Sequence, residues 1–179
     1  MAQAKGVRRV VTTHDNKGQA VVMLDGVEPV SGGEPELGVE SYLMWVTDET
    51  PADISGKADA GKRKIGIPPP LNGSILRIVD FHPATEEQGK LDPDHLAKLI
   101  GGGHSSTGKP SRHPGMHRTD SIDYVIVLKG EIDMLLDEGE VHLKAGDILV
   151  QRGTNHAWVN RGKETCRIAV AMIGADAKP

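Results

Sequence analysis

Short apolar runs, separated by turn-forming residues, recur along most of this chain of 179 residues. They alternate with polar positions over a few residues at a time, which is the period of a half-buried strand. The pattern predicts ten strands, at Arg8–Thr13, Gln19–Leu24, Tyr42–Val46, Ser74–Phe81, Ile122–Leu128, Glu131–Leu136, Val141–Lys144, Ile148–Gln151, His156–Asn160 and Thr165–Ile173. Many short strands joined by hairpin turns are typical of an antiparallel sandwich or barrel, so we predict an all-β fold.

One short helix interrupts this pattern, in the long connection over residues 83–116. Asp92 is suited to cap it, Pro93 suits its first turn, and Gly101 ends it. Its apolar face is predicted to consist of Leu96, Leu99 and Ile100. Connections of this length are uncommon in compact domains unless they are functional, and this one leads into a group of histidines.

The strand Ile122–Leu128 is apolar on both faces apart from Asp123, so something must cover its outer face. Either the N-terminal strands or a second subunit would do so. We therefore predict an N-terminal, strand-rich extension over residues 1–73, packing on a barrel over residues 74–179 or on the partner in a homodimer.

Composition removes several classes of function. The net charge is −4 and only 3% of residues are aromatic, which does not favour binding to nucleic acid. The longest apolar run, Ile168–Ile173, is far too short to span a membrane. A single cysteine, Cys166, and an N-terminus without the apolar core of a signal peptide indicate a cytoplasmic protein.

Two apparent motifs carry no function in this context. Residues 103–109 read G-x-x-x-x-G-K, but Pro110 replaces the Ser or Thr of a phosphate-binding loop, and no strand precedes the motif. His113 and His117 have the spacing of a zinc protease, yet Pro114 and Gly115 break the helix which that spacing requires.

Three other residues form a more promising set. His117, Asp123 and His156 lie at or near strand ends in the all-β half, where side chains can converge inside a barrel. A carboxylate inside a strand needs a partner or a metal ion. Two imidazoles and one carboxylate are the ligands of a facial triad, which leaves coordination positions open. The same residues could also form a hydrogen-bonded cluster without metal.

The segments around these residues resemble the two motifs of the cupin superfamily. The first motif reads H-x-H, then three or four residues, Glu, six residues and Gly. The matching positions in this chain are His117, Thr119, Asp123 and Gly130. Thr119 therefore replaces the second histidine of the motif, and Asp123 replaces its glutamate. In the second motif Gly146, Gly153, His156 and Asn160 match, while the usual proline is absent and the loop is one residue shorter. The resemblance covers Ser74–Ile173 and implies a jelly-roll barrel.

The resemblance also implies a small-molecule enzyme, and three hypotheses follow. The first is a metal-dependent oxidoreductase or dioxygenase, with Fe, Mn, Ni or Zn held by His117, Asp123 and His156, and His113 as an additional candidate ligand. The second is a metal-free dehydratase or isomerase that uses the histidines for acid–base catalysis on a polyketide-like or sugar-like carbonyl compound. The third is a binding protein without catalytic activity. The predicted substrate pocket is lined by Arg77, Arg118, Thr119, Gln151 and Trp158.

Overall fold

The structure is a computed structural model that describes residues 6–86, 88, 112–113 and 115–176. The strands of these residues are β1 (Val7–His14), β2 (Ala20–Glu28), β3 (Val39–Thr47), β4 (Ser74–Phe81), β5 (Ser121–Lys129), β6 (Glu131–Leu136), β7 (Glu140–Lys144), β8 (Ile148–Arg152), β9 (His156–Val159) and β10 (Cys166–Gly174). Single 3-10 turns occur at Pro35–Leu37 and Ala60–Lys62. The predicted all-β fold is confirmed, whereas the helix predicted between Asp92 and Gly101 lies outside the described residues.

Two antiparallel sheets enclose the core. The larger sheet has the order β3-β4-β10-β5-β8 and the smaller has the order β7-β6-β9. Residues in β5 alternate between buried and exposed, as expected for a strand with one face toward the core. The main core cluster takes side chains from both sheets: Val79, Val125, Val127, Ile132, Leu143, Cys166 and Ile168. This two-layer arrangement leaves room for a cavity between the inner faces.

The remaining strands, β1 and β2, form a separate hairpin that is fixed to the larger sheet by a buried arginine. Arg9 is 7% exposed; it donates hydrogen bonds to Asp59 at 2.6 and 2.7 Å, to Glu28 at 2.7 Å and to the carbonyl of Met44 at 2.9 Å. Because Met44 belongs to β3, these bonds tie the hairpin to the edge of the sheet.

The hairpin covers only part of the outer face of the larger sheet. Val7 packs against Tyr42, Met44 and Ile78, which belong to β3 and β4. On the same face of β5, the side chains that alternate with the core remain exposed by 36–50%: Ile122, Tyr124, Ile126 and Leu128. The sequence left two alternatives for covering this face, the N-terminal strands and a second subunit. The N-terminal strands pack on β3 and β4, and the outer side of β5 remains exposed.

The predicted boundary between residues 73 and 74 stays a prediction, since β3 and β4 lie on either side of it and pair over their whole length. Between these strands the chain follows an extended path whose carbonyl groups at Ile65 and Gly66 reach Arg77 on β4. Within the described part of the chain no helix is long and apolar enough to cross a membrane.

Candidate functional site

A cavity of about 350 Å³ lies between the two sheets. Its walls are mainly apolar, with side chains from β4, β5, β9 and β10, and include Val79, Val125, Trp158, Ile168 and Val170. The polar groups in its lining include Arg77, Thr119, Asp123, Gln151 and the three histidines His113, His117 and His156. A mostly apolar cavity of this size with a few polar groups is typical of a site for a small organic molecule.

Two of these histidines form a close pair. His156 begins β9, and an isolated antiparallel bridge joins it to His117, with backbone hydrogen bonds of 2.8 and 2.9 Å. The bridge also brings the rings together, so that their centroids lie 4.4 Å apart. His156 is only 3% exposed. The pair is therefore positioned by the backbone rather than by flexible loops.

Backbone carbonyls fix the tautomer of both imidazoles. Nδ1 of His117 lies 2.9 Å from the carbonyl oxygen of Gly115, and Nδ1 of His156 lies 3.0 Å from that of Thr154. Since a carbonyl oxygen only accepts, each Nδ1 carries the hydrogen and donates it. When the rings are neutral, each Nε2 keeps its lone pair for a bound molecule.

Burial keeps this pair neutral at neutral pH. Loss of solvent lowers the pKa of His117, against an opposing effect of the Gly115 carbonyl. Burial, with a smaller contribution from the neighbouring His117, lowers the pKa of His156 to about 3. Protonation of both adjacent imidazoles at once is strongly unfavourable in such a buried site. The pair therefore carries at most one proton.

Asp123 stands at the end of a buried chain of hydroxyl groups. The Ser121 hydroxyl donates to Oδ1 of Asp123 at 2.6 Å, and the hydroxyl of Thr119 lies 2.8 Å from that of Ser121. Because Ser121 has only one hydrogen to give, Thr119 is the donor in the second bond. Burial raises the pKa of Asp123, and the Ser121 bond lowers it in part.

Gln151 lies opposite Asp123 on the neighbouring strand β8. It is 3% exposed, and its Nε2 has no hydrogen-bond partner in the described part of the chain. A buried amide nitrogen without a hydrogen-bond partner destabilises the protein. A bound molecule that accepts a hydrogen bond from Gln151 would remove this unfavourable contribution. Trp158 forms the wall on the other sheet, with its ring edge-on to that of His156 at 5.9 Å.

The cavity brings together most of the residues predicted from the sequence. His117, Asp123, His156, Arg77, Thr119, Gln151 and Trp158 all line it, as does His113. Arg118 does not contribute to the lining and pairs instead with Asp120 at 3.0 Å.

Sequence reasoning missed Ser121, Ser41 and Glu34. Ser121 stands two residues before Asp123, so a hydroxyl on the same face of a strand was the available signal.

The predicted metal centre of His117, Asp123 and His156 does not form among the described residues. Among residues 6–86, 88, 112–113 and 115–176, no three His, Cys, Asp or Glu side chains are grouped so that they could hold a metal ion. The histidine pair has the tautomers of metal ligands, with Nδ1 bound to a carbonyl and Nε2 available. Asp123, however, accepts the Ser121 hydroxyl and does not complete a three-ligand set with the pair. His113 supplies no third ligand either; its Nδ1 accepts the backbone N–H of Gly115 at 3.0 Å.

Comparison with known proteins gives a consistent picture. A family model described as Cupin domain matches residues 104–172. Oryzines biosynthesis cluster protein J of Aspergillus oryzae is 31% identical over 97% of this chain and 84% of its own length. Phomopsin biosynthesis cluster protein C' of Diaporthe leptostromiformis is 35% identical over 96% of this chain and 79% of its own. The cupin-domain-containing oxidoreductase virC of Hypocrea virens is 30% identical over 98% and 80%.

Proposed function

The chain belongs to the cupin superfamily, and we propose that it is an enzyme, an oxidoreductase acting on a small, largely apolar organic compound. Relatives named as cupin-domain-containing oxidoreductases support the reaction class. The observation that carries the proposal is the neutral His117–His156 pair, whose Nε2 atoms are available inside an apolar cavity.

The pair is suited to remove a proton from the substrate. Nε2 of one ring accepts the proton from a hydroxyl group, or from carbon next to a carbonyl. The other ring stays neutral beside the charged one, and its Nε2 accepts a hydrogen bond that orients the substrate. Burial disfavours the imidazolium, so the proton leaves the pair again within the same turnover.

Oxidation of a hydroxyl compound to a carbonyl compound also transfers a hydride, and molecular oxygen is the acceptor in this proposal. Oxygen takes up the hydride together with the proton released by the histidine pair and leaves as hydrogen peroxide. Metal dependence is the part of the sequence-based hypothesis that the geometry supports least, because Asp123 does not join the pair as a third ligand.

A dehydratase or isomerase is the second candidate, and the hydroxyl chain of Thr119, Ser121 and Asp123 favours it. Such a chain can return a proton to another position of the substrate, and no electron acceptor is then needed. The raised pKa of Asp123 makes its protonated form more accessible near neutral pH.

Turnover of a panel of aryl and medium-chain aldehydes, ketones and hydroxy ketones distinguishes these candidates. The assay follows oxygen uptake and product mass, in air and under nitrogen, with and without a chelator. An oxidoreductase gives a product that has lost two hydrogens or gained oxygen, whereas an isomerase or dehydratase acts equally well under nitrogen.

His117→Ala and His156→Ala should each lower turnover by at least 100-fold, which is the contribution of one acid–base group. His14→Ala is the matched control, because His14 is an exposed histidine in β1. Full activity in the two cavity variants would overturn the assignment of the pair. Binding of panel compounds without any turnover would instead support a binding protein.

A further inference from the structure

Arg77 is the one arginine or lysine in the cavity lining of the described residues. It lies on β4, in the same row across the sheet as Val170 of β10 and Val125 of β5. It is half-buried, and its guanidinium donates to the Ser41 hydroxyl at 3.3 Å and to the carbonyl oxygens of Ile65 and Gly66. All of these acceptors are neutral.

No described carboxylate balances this charge. Glu34 and Asp123 line the same cavity, but neither forms an ion pair with Arg77 within 4.0 Å. Asp123 accepts the hydroxyl of Ser121 instead. In addition, Nε of Arg77 is buried and has no hydrogen-bond partner in the described ranges.

An unpaired guanidinium in such a place is expensive. Burial of a charge is unfavourable unless an opposite charge compensates it. Burial accordingly lowers the pKa of Arg77. Holding the segment at Ile65 and Gly66 does not require a charge, since a neutral amide could donate to the same carbonyls. The charge itself is therefore unexplained by the contacts within the chain.

We propose that the cavity binds a monoanionic organic acid whose carboxylate pairs with Arg77, while its apolar body extends toward His117 and His156. The placement of the ligand's reacting end beside the two histidines rests on the proposed function. The carboxylate site at Arg77 does not depend on that function. A planar guanidinium matches a carboxylate in geometry, and a single cation is balanced by a single negative charge.

The floor of the cavity fits the body of such an acid. Val170 pairs with Arg77 on one side and with Val125 on the other, so two apolar side chains follow the arginine across the sheet. β4 and β5 are two strand spacings apart, which is about 10 Å. An acid with an aryl group or a chain of several carbons spans that distance.

Binding of matched acids and amides tests the site without any turnover. The probes are 4-phenylbutanoate and octanoate, each with its own amide, titrated calorimetrically into the whole chain at pH 7.5. We expect each acid to bind about 10- to 100-fold more tightly than its amide, the range for a hydrogen bond to a charged group.

Arg77→Met should abolish this preference, and Arg77→Lys should keep part of it, because lysine retains the charge without the planar fork. Arg118→Met is the matched control and should keep the full preference, since Arg118 lies outside the cavity lining. A structural role of Arg77 would change the melting temperature and leave the acid–amide ratio unaffected.

Equal binding of acids and amides to the wild-type chain would overturn the proposal, as would a failure of both acids to bind or a full acid preference in Arg77→Met. If Arg77→Met does not fold, the ratio in Arg77→Lys decides. His117→Ala should keep the acid preference while it loses turnover. A preference without any turnover thus contradicts only the proposed function, and turnover without a preference contradicts only the carboxylate site.

Discussion

His117 and His156 are joined twice, by a pair of backbone hydrogen bonds and by rings whose centroids lie 4.4 Å apart. The backbone bridge fixes the ring positions before any ligand binds. Preorganised groups of this kind do not lose free energy to rearrangement during a reaction. The bridge also makes the protonation of either ring a property of the pair.

The stability of the fold should fall in acid because of this pair. The folded pKa of His156 is about 3 against an ordinary value of 6.5, so the unfolded chain binds more protons between these two values. Stability contributed by the neutral ring is present above pH 6.5 and is lost as the pH falls toward 3. From His156 alone we expect a loss of about 2 kcal/mol between pH 7 and pH 5.

Urea unfolding at both pH values measures this loss. His156→Asn keeps a donor for the Thr154 carbonyl but does not titrate, so its free energy of unfolding should depend less on pH. His14→Asn serves as the control at an exposed position. The same pH dependence in His156→Asn and in the wild type would contradict the prediction.

Removal of metal should leave the fold unaffected, because no third ligand joins the pair among the described residues. We expect dialysis against a chelator to leave the melting temperature unchanged, and elemental mass spectrometry of untagged protein to find less than stoichiometric iron, manganese, nickel and zinc. Stoichiometric metal that is lost in His156→Ala would instead restore the three-ligand hypothesis derived from the sequence.

Ser121→Ala should destabilise the protein, because it removes the donor at 2.6 Å from a buried carboxylate. A buried acceptor without its partner costs about 1–3 kcal/mol. Thr119→Val leaves the Ser121–Asp123 bond intact and should cost less. Thermal unfolding of the two variants gives the comparison. An equal loss of stability in both would contradict the assigned direction of the hydrogen bonds, from Thr119 to Ser121 and from Ser121 to Asp123.

The hairpin offers a pair of adjacent arginines that differ in burial. Arg9→Met leaves Asp59 and Glu28 without their buried partner and should cost about 3–5 kcal/mol. Arg8→Met breaks only the exposed pair with Asp25 and should destabilise the protein much less. Hydrogen exchange in β1 and β2 would show whether the hairpin detaches. Similar costs in the two variants would contradict the anchoring role of Arg9.

The open outer side of β5 and β8 leads us to propose a homodimer. Tyr124 pairs with Val150 and Ile126 with Ile148, so four large apolar side chains form one uncharged surface. A second copy offers an identical surface, which a two-fold axis would match to the first. Light scattering should find a dimer, and Ile148→Lys should dissociate it.

Ile54→Lys is the control for this surface, because Ile54 is 88% exposed in the segment between β3 and β4. A monomeric wild type, or a dimer that survives Ile148→Lys, would contradict the proposal.

Strand pattern and turn residues predict most of this fold. The bounds of Ser74–Phe81 and Glu131–Leu136 agree with the structure, and other strands differ by a few residues. The largest differences are in β2, which continues to Glu28, and in β3, which begins at Val39. The ladder continues beyond Leu24 through Gly26, which pairs with Arg9.

The site was less predictable, because its geometry depends on long-range contacts. The sequence indicates which residues of suitable chemistry lie at or near strand ends in the all-β half, and this was enough to select His117, Asp123 and His156. Whether they approach a common point depends on the bridge between residues 117 and 156 and on the hydroxyl of Ser121. The bridge has no sequence signal of its own, and the Ser121 hydroxyl is signalled only by its place two residues before Asp123.

The strand order also determines when the cavity can exist during synthesis. β10 lies between β4 and β5, and its residues Ile168, Val170 and Met172 belong to the cavity lining. During synthesis, the cavity lacks the wall that these β10 side chains form until β10 has left the ribosome. Pairing across such sequence distances is slow compared with local structure. Until then, the apolar inner faces of β4 and β5 stay exposed to solvent, and exposed surfaces of this kind are prone to aggregation.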